Sequence, residues 1–217
     1  MKKYVFILCF IISLLHPLFS QTNGVKTDAN KRLNDSIAGA RKDSIKFAKL
    51  MSIAYYPLIK AGPFSGVLPV EGVDEMPDPN KEYKLLFEFT LVEKDTSHEK
   101  LNPGLVEIAR ILNLHAASGI PISHIHPVIV VHGGSALHSI ENNEAYISKY
   151  KKDNPNIKLI QDLMQNGAKF IACGQAMHFW DLNKADLYPG VKVSLTAQTV
   201  LSNYSEQGYV WYKINEE

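Results

Sequence analysis

Cysteine is almost absent. The chain of 217 residues has two, Cys9 and Cys173, so no disulfide framework can staple the fold. Neither Cys-x-x-Cys nor His-Glu-x-x-His spacing occurs, which removes the common zinc signatures. There is no Gly-x-Gly-x-x-Gly and no Walker loop, so nucleotide binding has no motif to support it. A Gly-x-Ser-x-Gly elbow is missing too, so the string His132-Gly133-Gly134-Ser135 is not read as an esterase oxyanion loop. Charge of one sign is also lacking. The formal net charge is +1, and removal of Lys2 and Lys3 with a leader would bring it to about −1. With no basic excess to release counterions, nucleic acid is not an expected partner.

Long apolar runs are confined to the N-terminus. Lys2 and Lys3 form a basic start, Tyr4 to Leu15 an apolar stretch, and Pro17 and Ser20 a break and a small residue before a cleavage point. This is the layout of a secretory signal over residues 1–20, too short for a comfortable membrane span. The expectation is export to a periplasm or to the outside of the cell. No membrane span is expected after signal removal, and Cys173 is then the one remaining thiol.

What is present suits a folded α/β protein. Hydrophobic residues make up 46% and charged residues 21%, the balance of a chain that buries a core. Residues 21–81 read as an N-terminal arm. Leu33, Ile37, Ala40, Ile45, Ala48, Leu50, Met51 and Ile53 recur at helical spacing and predict an amphipathic helix over 31–56. From Pro57 to Pro79, proline and glycine predict an irregular connector whose Val and Leu residues pack against the body.

The body is expected over 82–217. Strands are predicted at Tyr83–Val92, Pro127–Val131, Ala168–Ala172, Val191–Val193 and Tyr209–Ile214. Asn102-Pro103 and Asn154-Pro155 each read as a helix start, with Asn as cap and Pro in the first turn. Gly119 and Gly167 read as the stops. Short helices are predicted from Ser135 and after Cys173, and a longer one over 196–207. The order β-α-β-α-α-β-α-β-α-β implies a mainly parallel sheet with helices on both faces. Such sheets carry their sites beyond the carboxyl ends of the strands.

Two segments fall there. Cys173 follows a buried strand and opens a helix with Gly174 and Gln175. A thiolate in such a place can attack sulfur or carbonyl centres, carry a persulfide or bind a soft metal. It can equally be a small buried core residue. His132, followed by Gly133 and Gly134, can act as a base or ligand near Cys173 if their strands are neighbours, or simply be a hydrogen-bonded histidine. His124, His126, His138 and His178 add imidazoles that could join Cys173 on zinc or copper, although scattered solvated histidines fit the spacing better. Trp180 and Trp211 read as core or subunit-interface residues.

Several blocks, in order, resemble the DsrE/DsrF-like family. They are Asn102 to Leu105, Val130 to Gly134, Asn154 to Ile157, Cys173 to Met177, Asp186 to Val193 and Gly208 to Val210. The resemblance spans about Tyr83 to Ile214. It implies a three-layer α/β/α flavodoxin-like sandwich with a five-stranded, mainly parallel sheet, and assembly into homotrimers or larger rings. It also implies sulfur relay as a persulfide on Cys173, with donor and acceptor proteins as partners and no cofactor. Gly174, Gln175 and His178 would support that thiol. Relatives often carry a basic turn after the cysteine's helix, where this chain reads His178-Phe179-Trp180-Asp181. The alternatives are a non-catalytic oligomeric binding or scaffold protein of the same fold, and a Cys/His metal-binding protein.

Overall fold

The computed structural model describes residues 32–90 and 98–215. The expected signal over 1–20, with Cys9, lies outside them. The chain divides into two compact units, Met1–Ser52 and Ile53–Glu217. In the first, the described residues are helical throughout and belong to α1 (32–53). Its Leu33, Ile37 and Ile45 are exposed. Among the described residues no helix is long and apolar enough to cross a membrane.

The second unit begins with the connector. Tyr55 and Val67 form an antiparallel bridge around a 3-10 turn at Pro63–Ser65. The first half packs as expected, with Ile59, Ala61 and Val67 buried, whereas Val70, Val73 and Met76 are exposed. Asn113 holds it down. Its Oδ1 accepts from Leu58 N and Ile59 N at 2.9 and 3.0 Å, and its Nδ2 donates to Ile59 O and Ser65 O at 2.7 and 2.8 Å. A buried amide that satisfies four backbone groups replaces the secondary structure this segment lacks.

The body follows as β1 (Tyr83–Phe89), α2 (Pro103–Ala117), β2 (Ile125–Val131), α3 (Gly134–Ser139), α4 (Asn143–Tyr150), α5 (Ile157–Gln165), β3 (Lys169–Cys173), α6 (Gly174–Phe179), β4 (Lys192–Ser194), α7 (Ala197–Glu206) and β5 (Val210–Ile214). The strands form one sheet in the order β4-β3-β2-β1-β5, and every pairing is parallel. The expected sandwich is present, with one more helix than the sequence reading. Asn142 caps α4 by accepting from Ala145 N at 2.9 Å.

Alternation sorts the strands onto two faces. Leu85, Phe87, Phe89, Ile129, Val131 and Phe170 join α2 and α5 in the larger cluster. Leu86, Val128, Val130, Ile171 and Cys173 face α7 through Ala197 and Leu201. Each fully buried side chain of this kind contributes about 1.5–3 kcal/mol relative to exposure. The α7 cluster is the smaller of the two, and at the start of β5 Val210 and Trp211 are exposed.

One helix start differs from expectation. Asn102 caps α2 as predicted, its Oδ1 accepting from Gly104 N at 2.8 Å. Asn154 does not cap α5. Its Oδ1 accepts from Asn156 N at 2.9 Å, which closes a turn before the helix, and its Nδ2 donates to Ser139 O and Glu141 O at 3.1 and 2.7 Å. The buried amide is occupied in tying the end of α3 to the start of α5, so the cap position moves on to Asn156.

Candidate functional site

Cys173 is the last residue of β3 and the cap position of α6, and it is 4% exposed. Its Sγ accepts from Ala197 N at 3.2 Å, at the first residue of α7. The segment from β4 to α7 therefore straps across the sulfur. Ser194 Oγ donates to Ala172 O at 3.2 Å, and Gln175 N donates to Leu195 O at 3.2 Å. Gly174 is required beneath this strap, because a Cβ there would sit 2.6 Å from the Ser194 carbonyl oxygen. Gln175 and His178 are exposed on α6. Among the described residues no hydrogen bond joins either of their side chains to Cys173.

β2 and β3 are neighbours, as the Cys173–His132 pairing required. Their register ends at Val131↔Ala172, so His132 and Cys173 are the next residues of two adjacent strands. His132 continues the ladder by donating its N–H to Phe89 O at 3.1 Å. Its Nε2 lies 3.0 Å from Glu88 Oε1, and Trp211 Nε1 donates to Glu88 Oε2 at 3.1 Å. The His132 and Glu88 side chains are 23% and 17% exposed. Gly133 turns the chain out of β2 at φ 118, a conformation L side chains rarely adopt, and a Cβ there would also crowd Thr90 O at 3.3 Å. Gly134 opens α3 against the indole of Trp180.

The other histidines are dispersed. His124 Nδ1 meets Pro79 O at 2.9 Å. His126 pairs with Glu82, and that hydrogen bond holds the Glu82 carboxyl below its ordinary pKa. His138 Nδ1 meets Glu141 Oε1 at 2.9 Å, which also receives Lys149 Nζ at 3.1 Å. Among the described residues no group of three or more His, Cys, Asp or Glu is placed to hold a metal ion. Trp180 and Trp211 are 44% and 45% exposed, so neither is core within this chain.

Glu88 and Trp211 were not singled out by sequence reasoning as site residues. Glu88 carries a signal in retrospect: it is the acidic residue in the apolar run Leu85 to Phe89, flanked by the buried Phe87 and Phe89. Trp211 offers no comparable sign, because its link to Glu88 depends on β5 returning beside β1.

A family model described as the DsrE/DsrF-like family matches residues 84–211. No curated protein matches the chain. Among solved structures, the protein of unknown function MTH1491 from Methanobacterium thermoautotrophicum is similar at 19% identity, over 61% of this chain and 99% of that one, with a TM-score of 0.42.

Proposed function

The chain belongs to the DsrE/DsrF-like family, and from that premise we propose that it is a sulfur carrier in which Cys173 accepts a sulfane sulfur as a persulfide and passes it on. The observation that carries this reading is the position of the thiol. Cys173 ends an inner strand of a parallel sheet, where such folds hold their ligands. A backbone N–H at the start of α7 donates to its sulfur, and the positive end of a helix favours negative charge beside it. A persulfide anion on Cys173 would benefit from both.

Residues 1–20 are assigned as an export signal, with the carrier working in a periplasm or outside the cell. Residues 21–81 are the arm and connector, and 82–217 the carrier domain. A homotrimer or larger ring is part of the same reading. It is supported by apolar surface at Val193, Leu195, Val210 and Trp211, which is 39%, 76%, 58% and 45% exposed. A donor protein and an acceptor protein complete the relay.

The test is sulfur loading. Protein incubated with inorganic polysulfide should gain the mass of added sulfur, reversibly with reductant, and Cys173→Ser should gain none. Equal uptake by both, or none by either, would overturn the assignment. A second reading, a non-catalytic scaffold of the same fold, is favoured by the 4% exposure of Cys173. It requires that no sulfur reaches the thiol while the protein stays folded.

A further inference from the structure

Three consecutive strands of the sheet carry Cys173, His132 and Glu88 at or next to their carboxyl ends, and the fifth strand adds Trp211. Glu88 follows Leu86 in the alternation and so lies on the α7 face, the face of Val130, Ile171 and Cys173. Trp211, the register partner of Leu86, is on that face as well. His132 reaches Glu88 there and follows the register pair Val131↔Ala172, which sets it beside Cys173 on the neighbouring strand. The Cys173 sulfur accepts from Ala197 N, and among the described residues no hydrogen bond joins it to the His132 ring.

The hydrogen bonds fix which nitrogen of His132 is free. Indole N–H is a donor only, so Glu88 Oε2 accepts from Trp211. An ionised carboxylate accepts at its other oxygen too, so His132 Nε2 carries a hydrogen and donates to Glu88 Oε1. In the neutral ring Nδ1 is then left as the acceptor. We propose that His132 is the proton acceptor for the Cys173 thiol, held in that tautomer by Glu88 and Trp211, a role that rests on Cys173 being the sulfur carrier.

The step balances without an oxidant. Cys173 gives its proton to His132 Nδ1, and the thiolate attacks the terminal sulfur of a donor persulfide or polysulfide. A sulfur–sulfur bond forms at Cys173 as the donor's own breaks. The donor leaves as a thiolate and takes the proton back from His132. His132 is the catalytic residue here, and Glu88 and Trp211 are positioning residues. The charged groups beside this set are Lys213 of β5, the register partner of Glu88, and Lys192 of β4, the register partner of Ile171. Lys84, His126, Lys169 and the Tyr204 hydroxyl belong to the amino ends of the strands.

The experiment measures the rate at which Cys173 reacts with methyl methanethiosulfonate across roughly pH 5–9, the range in which a histidine base titrates. Folding of each variant is checked by its melting temperature. His132→Gln should slow the reaction at neutral pH roughly tenfold or more and leave the pH profile of a simple thiol. Glu88→Gln, nearly isosteric, should shift the profile and slow the reaction less, Glu88→Asp should recover part of the loss, and Trp211→Phe should have the smallest effect. Profiles of His132→Gln and Glu88→Gln that superpose on the unsubstituted protein would overturn the proposal. If His132→Gln does not fold, the Glu88 pair decides it by the same criterion. Polysulfide loading separates the two claims. Equal loading rates with and without His132 sink the role of His132 and keep the carrier, whereas a His132-dependent thiosulfonate profile with no sulfur loading sinks the carrier.

Discussion

The backbone N–H of Ala197 donates to the sulfur of Cys173 across 3.2 Å, and this bond joins the start of α7 to the end of β3. Cys173 packs with Leu86, Val130, Ile171, Ala197 and Leu201 on the α7 face, and the short strap of Ser194, Leu195 and Thr196 joins β4 to the helix whose first N–H the sulfur accepts. Leu195 is 76% exposed, so the strap has one side in water. A segment held by a few bonds opens at far lower cost than the domain unfolds. Such an opening is the route by which a buried thiol could meet a sulfur donor.

Gly174 sets how closely the strap can lie. Gly174→Ala would place a Cβ 2.6 Å from the Ser194 carbonyl oxygen, which belongs to the backbone and has little freedom to yield. The expected cost is about 1–3 kcal/mol, together with faster reaction of Cys173 as the strap lifts. Gly134→Ala meets only the half-exposed Trp180 ring at 2.8 Å, and should cost less than about 1 kcal/mol because that side chain can swing away. Thermal melts and thiol-reaction rates of the two variants check the contrast.

Asn113 should matter to the connector more than to the sheet. Asn113→Ala removes four hydrogen bonds and leaves the N–H groups of Leu58 and Ile59 and the carbonyls of Ile59 and Ser65 without them. The expected destabilisation is about 3 kcal/mol, since buried groups left unpaired cost more than the bonds were worth. Limited proteolysis should then cut within residues 57–67 well before the sheet is attacked.

At the amino ends of the strands, Lys169 Nζ donates to Tyr204 Oη at 3.0 Å, and this bond raises the Lys169 pKa above its ordinary 10.5. Burial raises Tyr209 above its ordinary 10.0. Both groups hold their proton more tightly folded than unfolded. Their stabilisation is therefore complete below the ordinary values and is lost as pH climbs through the raised ones. Lys169 is exposed, so its share stays below about 1 kcal/mol. Melting temperature should fall more steeply above pH 10 in the unsubstituted protein than in Tyr204→Phe.

Much of the sheet was legible because buried parallel strands need continuous apolar runs, and Pro127 to Val131 supplies one. The Asn102 cap was legible because Asn-Pro is a local signal. Asn154-Pro155 gave the same signal and meant something else, since its amide is claimed by carbonyls at the ends of α3 that no local reading brings near. α4 was missed because Asn143 to Tyr150 is mostly polar, with Tyr146 as its buried residue. The position of Cys173 at the carboxyl end of an inner strand followed from strand order alone. The strap over its sulfur and the Glu88–His132–Trp211 link depend on which strands become neighbours, which only the folded chain supplies.

The most direct test of the carrier assignment compares native with unfolded protein. Polysulfide is applied to each, free thiols are trapped, and the peptide containing Cys173 is weighed. As a sulfur carrier, native Cys173 should carry added sulfur, removable by reductant, with the melting temperature unchanged. Modification of Cys173 only after unfolding would contradict it and leave the cysteine a packing residue of the α7 face.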